Sequence, residues 1–236
     1  MTARNAPSPT AGWTSWRTAR PNHHPSDALL VAYGSGSLGE GLSLAVALHL
    51  ARCPDCRATL AGVEAVGGVL LDDLPPAPLD GLTLAGTLAR LDRESATATP
   101  PRPAASGRDP ALPAPLRPYV PSLEGLAWQR LAPGVRRVEL LPRTASGGAA
   151  QLLRIAPGTA LPHHGHGGVE LTLVLSGHFA DELGRYGPGD LAEVDGDTRH
   201  QPIADSHRDC VCLIATDAPL RFTGLMGRLM QPFIGL

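Results

Sequence analysis

The stretch HLARCPDC places His49, Cys53 and Cys56 within eight residues of a chain that has four cysteines in all. On a helix, positions i, i+4 and i+7 share one face. If Pro54 breaks the helix, the two cysteines sit at a corner between helices, where they can hook a metal. Zinc takes four nitrogen or sulfur ligands at about 2.0–2.3 Å in a tetrahedron. Three are present here, and a fourth must come from elsewhere. His23 and His24 open the first helical run, and a helix–turn–helix return brings either one into reach. A redox dithiol would need CxxC at a helix start after a strand, whereas the preceding run is helical. A zinc-bound thiolate pair can itself be oxidised with loss of metal, so a structural site and a sensor are compatible. The plainest reading is two ordinary buried thiols and an unrelated histidine. The H-x3-C-x2-C spacing is more specific than that.

A second set lies in GTALPHHGHGGVELTLVLSG, with Gly158, His164, His166, Glu170 and Gly177 in the pattern G-x5-H-x-H-x3-E-x6-G. Residues i and i+2 of a strand point to one side, so His164 and His166 can converge. Glu170 returns to that side if the strand stays regular through the glycine pair. His200 follows a hairpin-like turn at GRYGPGD and would complete a set of three histidines and a glutamate. Such a set suits Zn, Mn, Fe(II) or Ni on ligand type. His163, His178 and His207 have no comparable spacing and read as surface or strand histidines. Cys210 and Cys212 alternate in an apolar run and read as buried strand thiols, since an i, i+2 pair is poorly placed for a disulfide.

The elements that must carry these residues fall into two kinds. From about residue 23 to 95 the pattern is helical. SDALLVAY opens with Ser26 as N-cap and Asp27 in the first turn. SLGEGLSLAVALHLARC follows, and Pro54 starts a third helix. A fourth, DGLTLAGTLARLDRES, carries Leu82, Leu84, Leu88 and Leu91 on one face. Residues 96–121 form a Pro/Ala-rich linker whose composition predicts extended chain and no core. Residues 122–236 read as short strands punctuated by Gly, Pro and Asp, which predicts a β-sandwich or barrel. Residues 1–21 read as a disordered extension. The predicted organisation is therefore a small four-helix domain over 22–95 followed by an all-β domain.

Composition bounds the function classes. The 236 residues carry 20 Lys and Arg against 22 Asp and Glu, a net charge of −2, so bulk electrostatics does not invite nucleic acid. No apolar run reaches the roughly 18–20 residues of a membrane span, and the first residues lack the apolar segment of a secretory signal. The cytoplasm is the expected compartment, where clustered cysteines mean metal more often than disulfide.

The helical motif resembles the zinc-binding anti-sigma domain, in which an upstream histidine precedes H-x3-C-x2-C at the end of the second helix. The resemblance implies a zinc site of His24, His49, Cys53 and Cys56; His24 is taken over His23 because it directly precedes PSDALL. It also implies that the fourth helix faces a partner, the alternative being that its leucines pack on the other three helices. The second motif is similar to the first cupin motif position for position, with His200 where the second motif supplies its histidine. That second motif is degraded: Asp195 stands at the proline position and Gly196 is displaced by one. The implied ligands are His164, His166, Glu170 and His200 around Zn2+ or another divalent metal. The order of the two halves over about residues 22–236 resembles the ChrR family of cytoplasmic anti-sigma factors. HHPSDALL, HLARCPDC, AVGG, HGHGGVELTLVLSG and ATDAPLRF carry the likeness. It implies a binding protein, not an enzyme. Such a protein sequesters an extracytoplasmic-function sigma factor one to one and touches no nucleic acid directly. Its cupin domain is needed to respond to singlet oxygen or related oxidants. The rival is a cupin dioxygenase or isomerase with an N-terminal adaptor, which leaves the helical zinc motif without employment.

Overall fold

In this computed structural model, the structure describes residues 16, 20–77, 83–97, 112–122, 126–143 and 148–222. Most of the expected extension, the greater part of the linker, Leu82 and the residues after 222 lie outside the described residues.

Among the described residues, four helices with assigned bounds come first. α1 spans Asp27–Gly34, and its predicted cap is made: the Ser26 hydroxyl accepts the Leu29 N–H at 3.2 Å. α2 spans Glu40–Leu50 and is apolar on nearly every side, EGLSLAVALHL. A helix of that kind must be enclosed, and eight of its residues are buried. α3 spans Pro54–Asp72, with Cys53 as N-cap and Pro54 at the first turn, where a missing N–H costs nothing. α4 spans Leu84–Thr97.

Twelve strands follow among the described residues, all paired antiparallel. They are β1 Gln129–Ala132, β2 Val135–Leu141, β3 Ala149–Ile155, β4 His164–His166, β5 Glu170–Ser176, β6 Phe179–Ala180, β7 Arg185–Tyr186, β8 Leu191–Val194, β9 Arg199–His200, β10 Ile203–Ala204, β11 Cys210–Thr216 and β12 Leu220–Phe222. The main sheet has the order β1-β2-β3-β11-β5-β8, and two three-stranded sheets, β10-β6-β7 and β12-β4-β9, complete the β-domain. Gly177 turns the chain out of β5 with φ +71°; a Cβ there would lie 2.5 Å from the Asp209 carbonyl oxygen, so only glycine fits.

The main sheet is buried on both faces. All seven residues of β5 and all seven of β11 are buried. On the inner face Leu153, Ile155, Val174, Phe179, Cys210 and Ile214 form the barrel core. On the outer face Leu152, Leu171, Leu173, Leu175 and Leu213 share one core with Leu44, Val46, Leu48 and Leu50 of α2. The helical layer and the barrel are thus joined by a common core.

The end of the predicted linker joins this core, against expectation. A single 3₁₀ turn at Ala114–Leu116 brings in Leu112, Leu116 and Val120, all buried. Their burial depends on contacts with the rest of the fold, which a composition count cannot register.

Leu48 is fully buried between α2 and the sheet. Leu48→Ala is expected to cost about 2–5 kcal/mol. In a urea titration the helix and strand signals should shift together, because the core is shared. Two separated transitions would show that the layers fold independently.

Candidate metal centres

The first cluster forms where α2 ends and α3 begins. The Cys53 thiol caps α3, accepting the Cys56 N–H at 3.4 Å. His49 lies one turn back in α2 and presents Nε2 to Cys56 Sγ at 3.3 Å. His24 comes from the segment before α1 and sets Nδ1 3.4 Å from both sulfurs. A tetrahedral ion with bonds of about 2.0 Å to nitrogen and 2.3 Å to sulfur needs N···S edges of about 3.5 Å. The donor set and its spacing fit such an ion. His49 Nδ1 donates to the Gly189 carbonyl at 2.9 Å, so Nε2 of the neutral ring is bare. Burial holds the His49 pKa down at about 4 and pushes the Cys56 thiol up to about 12.

The paired histidines part ways. His24 is in the cluster, whereas His23 turns away, its Nε2 3.1 Å from the Arg185 carbonyl oxygen and its ring against Tyr186.

The second cluster lies inside the barrel. β4 pairs with β9 so that His164 stands directly opposite His200. His166 is two residues on, and the three Nε2 atoms converge, with His200 3.2 Å from His166 and 3.3 Å from His164. His164 Nδ1 donates to the Pro162 carbonyl and His200 Nδ1 to the Asp181 carboxylate, each at 2.8 Å. Their Nε2 atoms therefore carry lone pairs when the rings are neutral. Burial lowers His164 to about 4 and His166 to about 3, and raises Glu170 to about 7. A cation between the three Nε2 atoms would satisfy their lone pairs together. His166 Nδ1 and Glu170 Oε2 lie 3.5 Å apart, yet neither has a hydrogen-bond partner among the described residues. Buried polar atoms are seldom left so, and the set fits a divalent ion.

Glu170 reaches the cluster by a different route from the one its even spacing suggested. The strand does not stay regular: residues 167–169 form a bend, and Glu170 opens β5 in the main sheet. Asp217 fixes that bend by accepting the Val169 N–H at 2.8 Å, and a Cβ on Gly168 would collide with the same carboxylate. All eight predicted ligands thus fall in two groups, with the four ligand atoms of each within 4.8 Å of one another. His163 and His207 are exposed, and neither they nor His178 enter a cluster. Cys210 and Cys212 are buried and unbridged. Asp181 escaped the sequence reading, as did Gly189. Each acts through a histidine far away in sequence, and nothing local marks it.

A cavity of about 250 Å³ opens beside the second cluster. His164, Glu170 and Cys212 line one part of it and Leu131, Leu153 and Phe179 another.

Comparison with known proteins decides the family. Residues 118–219 match the ChrR cupin-like domain. The anti-sigma-E factor ChrR of Cereibacter sphaeroides is 48% identical over 212 residues, which span 89% of this chain and 97% of that protein. The chain belongs to the ChrR family of anti-sigma factors. Family membership places it among binding proteins rather than enzymes. The crystal structure of Rhodobacter sphaeroides SigE in complex with the anti-sigma ChrR is similar at a TM-score of 0.71 and 44% identity, over 84% of this chain and 100% of that one.

Asp181 is buried and fixes the orientation of His200. Burial raises its carboxyl pKa, but the bonds from His200 and the Leu183 and Gly184 N–H groups outweigh this and hold it below the usual range. Asp181→Asn is expected to weaken divalent-ion binding at the barrel cluster about 10–100-fold, read by chelator competition. Binding at the cysteine cluster should not change.

Proposed function

We propose that this chain holds an extracytoplasmic-function sigma factor in a one-to-one complex in the cytoplasm. Residues 22–95 form the binding unit and residues 122–236 the sensing unit. While held, the sigma factor is kept from RNA polymerase. Oxidative stress, such as singlet oxygen or a related oxidant, releases it, and the barrel is needed for that response. The observation that carries this reading is the likeness to a solved sigma–anti-sigma complex over the whole of its ChrR chain.

The surface supports it. Val66, Val69, Leu70 and Leu71 of α3 are 62–69% exposed, and Leu84, Leu88 and Leu91 of α4 are 51–76% exposed. These α4 leucines do not pack away among the other helices. Apolar groups clustered on a surface in this way mark a face that another protein covers. His24, His49, Cys53 and Cys56 hold Zn2+ and fix the helical unit, while His164, His166, Glu170 and His200 hold Zn2+ or another divalent ion. An oxidant or oxidised lipid entering the cavity would meet the second ion's ligands directly. It can shift the sigma-bound population only by as much as its affinities for the two states differ.

Cys53→Ser and Cys56→Ser are each expected to lose one equivalent of zinc and the co-purifying sigma factor. The full chain serves as bait in the native host, and the partner is identified by mass. Full sigma binding by either variant would overturn the zinc-dependent reading. Capture of no sigma factor by the unaltered chain would overturn the partner assignment.

A further inference from the structure

The helices alone do not close the cysteine cluster. His24 lies in a segment that runs along β8, the edge strand of the main sheet, and the Leu191 N–H donates to the His23 carbonyl. Two carboxylates pin this segment on either side of His24. Asp190 Oδ1 accepts the Asn22 N–H at 2.6 Å and the His23 N–H at 3.0 Å, while its Oδ2 accepts the Gly187 N–H at 2.8 Å. Asp190 is 3% exposed, so these three donors define its place. Glu193 accepts the Ser26 N–H at 2.8 Å and the Ser26 hydroxyl at 2.9 Å.

The second histidine is held from the same place. His49 Nδ1 donates to Gly189, the residue before Asp190. Gly189 has φ +94°, and a Cβ on it would come within 3.0 Å of Pro21 Cγ. A side chain there would strain the turn and push off the segment that carries His24. Both histidines of the cluster are thus oriented by residues 189–193 of the barrel, whereas the two cysteines are placed by the start of α3.

The same residues connect to the other cluster. Gly189 N–H donates to the Val174 carbonyl at 2.8 Å, and Val174 N–H to the Asp190 carbonyl at 3.1 Å. Glu193 is paired with Leu171, and Val194 with Glu170 itself. One pair of strands therefore has a barrel ligand on β5 and the anchors of His24 on β8 and in the turn just before it.

We propose that the turn at 187–190 and strand β8 are the outer shell of the helical metal site, with Asp190 and Glu193 as positioning residues for His24. The inference rests on the reading of His24, His49, Cys53 and Cys56 as a metal site. The bond from His49 Nδ1 to Gly189 is of the kind that fixes a ligating ring and its tautomer, whereas Asp190 and Glu193 act on His24 through the backbone on either side of it. Retention of the helical metal is therefore a property of the whole chain, and displacement of β8 against β5 loosens it.

The test uses the full chain loaded with Co2+. Thiolate ligation gives Co2+ a charge-transfer absorption that the histidine–carboxylate cluster cannot produce. The decay of this band in excess chelator reports release from the cysteine cluster alone. Asp190→Asn puts an amide where donors now point, and should speed the decay several-fold, by less than the about 10–100-fold that loss of a bond to a ligating ring itself gives. Glu193→Gln, at an exposed side chain, should act in the same direction by less and carries the test if Asp190→Asn does not fold. Decay at the unaltered rate in the folded variants would overturn the proposal. A lowered melting temperature with unchanged decay would do the same, since it marks a merely structural role. An unaltered chain that gives no thiolate band would instead overturn the metal reading beneath it.

Discussion

The central strands of the main sheet are buried on both faces, and the layers around them are arranged to satisfy that. An antiparallel sheet commonly leaves one face in water. Here β5 and β11 have no exposed residue, so each face needs its own cover. The two small sheets close the inner face and form the barrel. Helix α2, with the 3₁₀ turn, closes the outer face. Because α2 is committed to the sheet, its last turn delivers His49 to the edge where Gly189 lies. On the inner face β5 delivers Glu170 among the three histidines. One sheet therefore fixes two ligand clusters on opposite sides of itself.

The clusters solve the same electrostatic problem with different donors. Burial keeps the imidazoles of His49, His164 and His166 neutral, and a neutral ring offers one bare nitrogen. Outer partners decide which: Gly189 for His49, Pro162 for His164 and Asp181 for His200. Each bare nitrogen points at its neighbours, which can offer only further lone pairs or thiols. A buried polar atom without a partner costs about 1–3 kcal/mol. Several in one place are costly for a fold that keeps them empty, and satisfied at once by a cation.

Much of this was legible in the sequence because it is local. Ser26 as a cap, Pro54 at the head of a helix, and the i, i+2 convergence of His164 and His166 follow from backbone geometry within a few residues. The membership of the two clusters was legible because metal donors are rare residue types in tight spacing. What stayed hidden was set by long-range pairing. The bend at 167–169 depends on Asp217, some fifty residues on. The burial of Leu112, Leu116 and Val120 depends on α2 being there to receive them. The choice of His24 over His23 rested on resemblance; in the structure it follows from Tyr186 and Arg185 holding the other ring.

Helix α3 shows why a metal cluster belongs at that corner. It is 19 residues long, yet only Cys56 is buried. It meets α1 where Leu60 and Val63 come close to Gly34. Hydrophobic packing therefore fixes little of its direction, and its exposed valines and leucines lie toward the far end. What fixes its start is the cap at Cys53 and the sulfur–histidine contacts within one turn of it. A small angular change at that corner grows along a helix of about 28 Å into a large displacement of the apolar face. Control of the corner is control of the surface a partner would meet, and the corner is held jointly by the helices and the barrel.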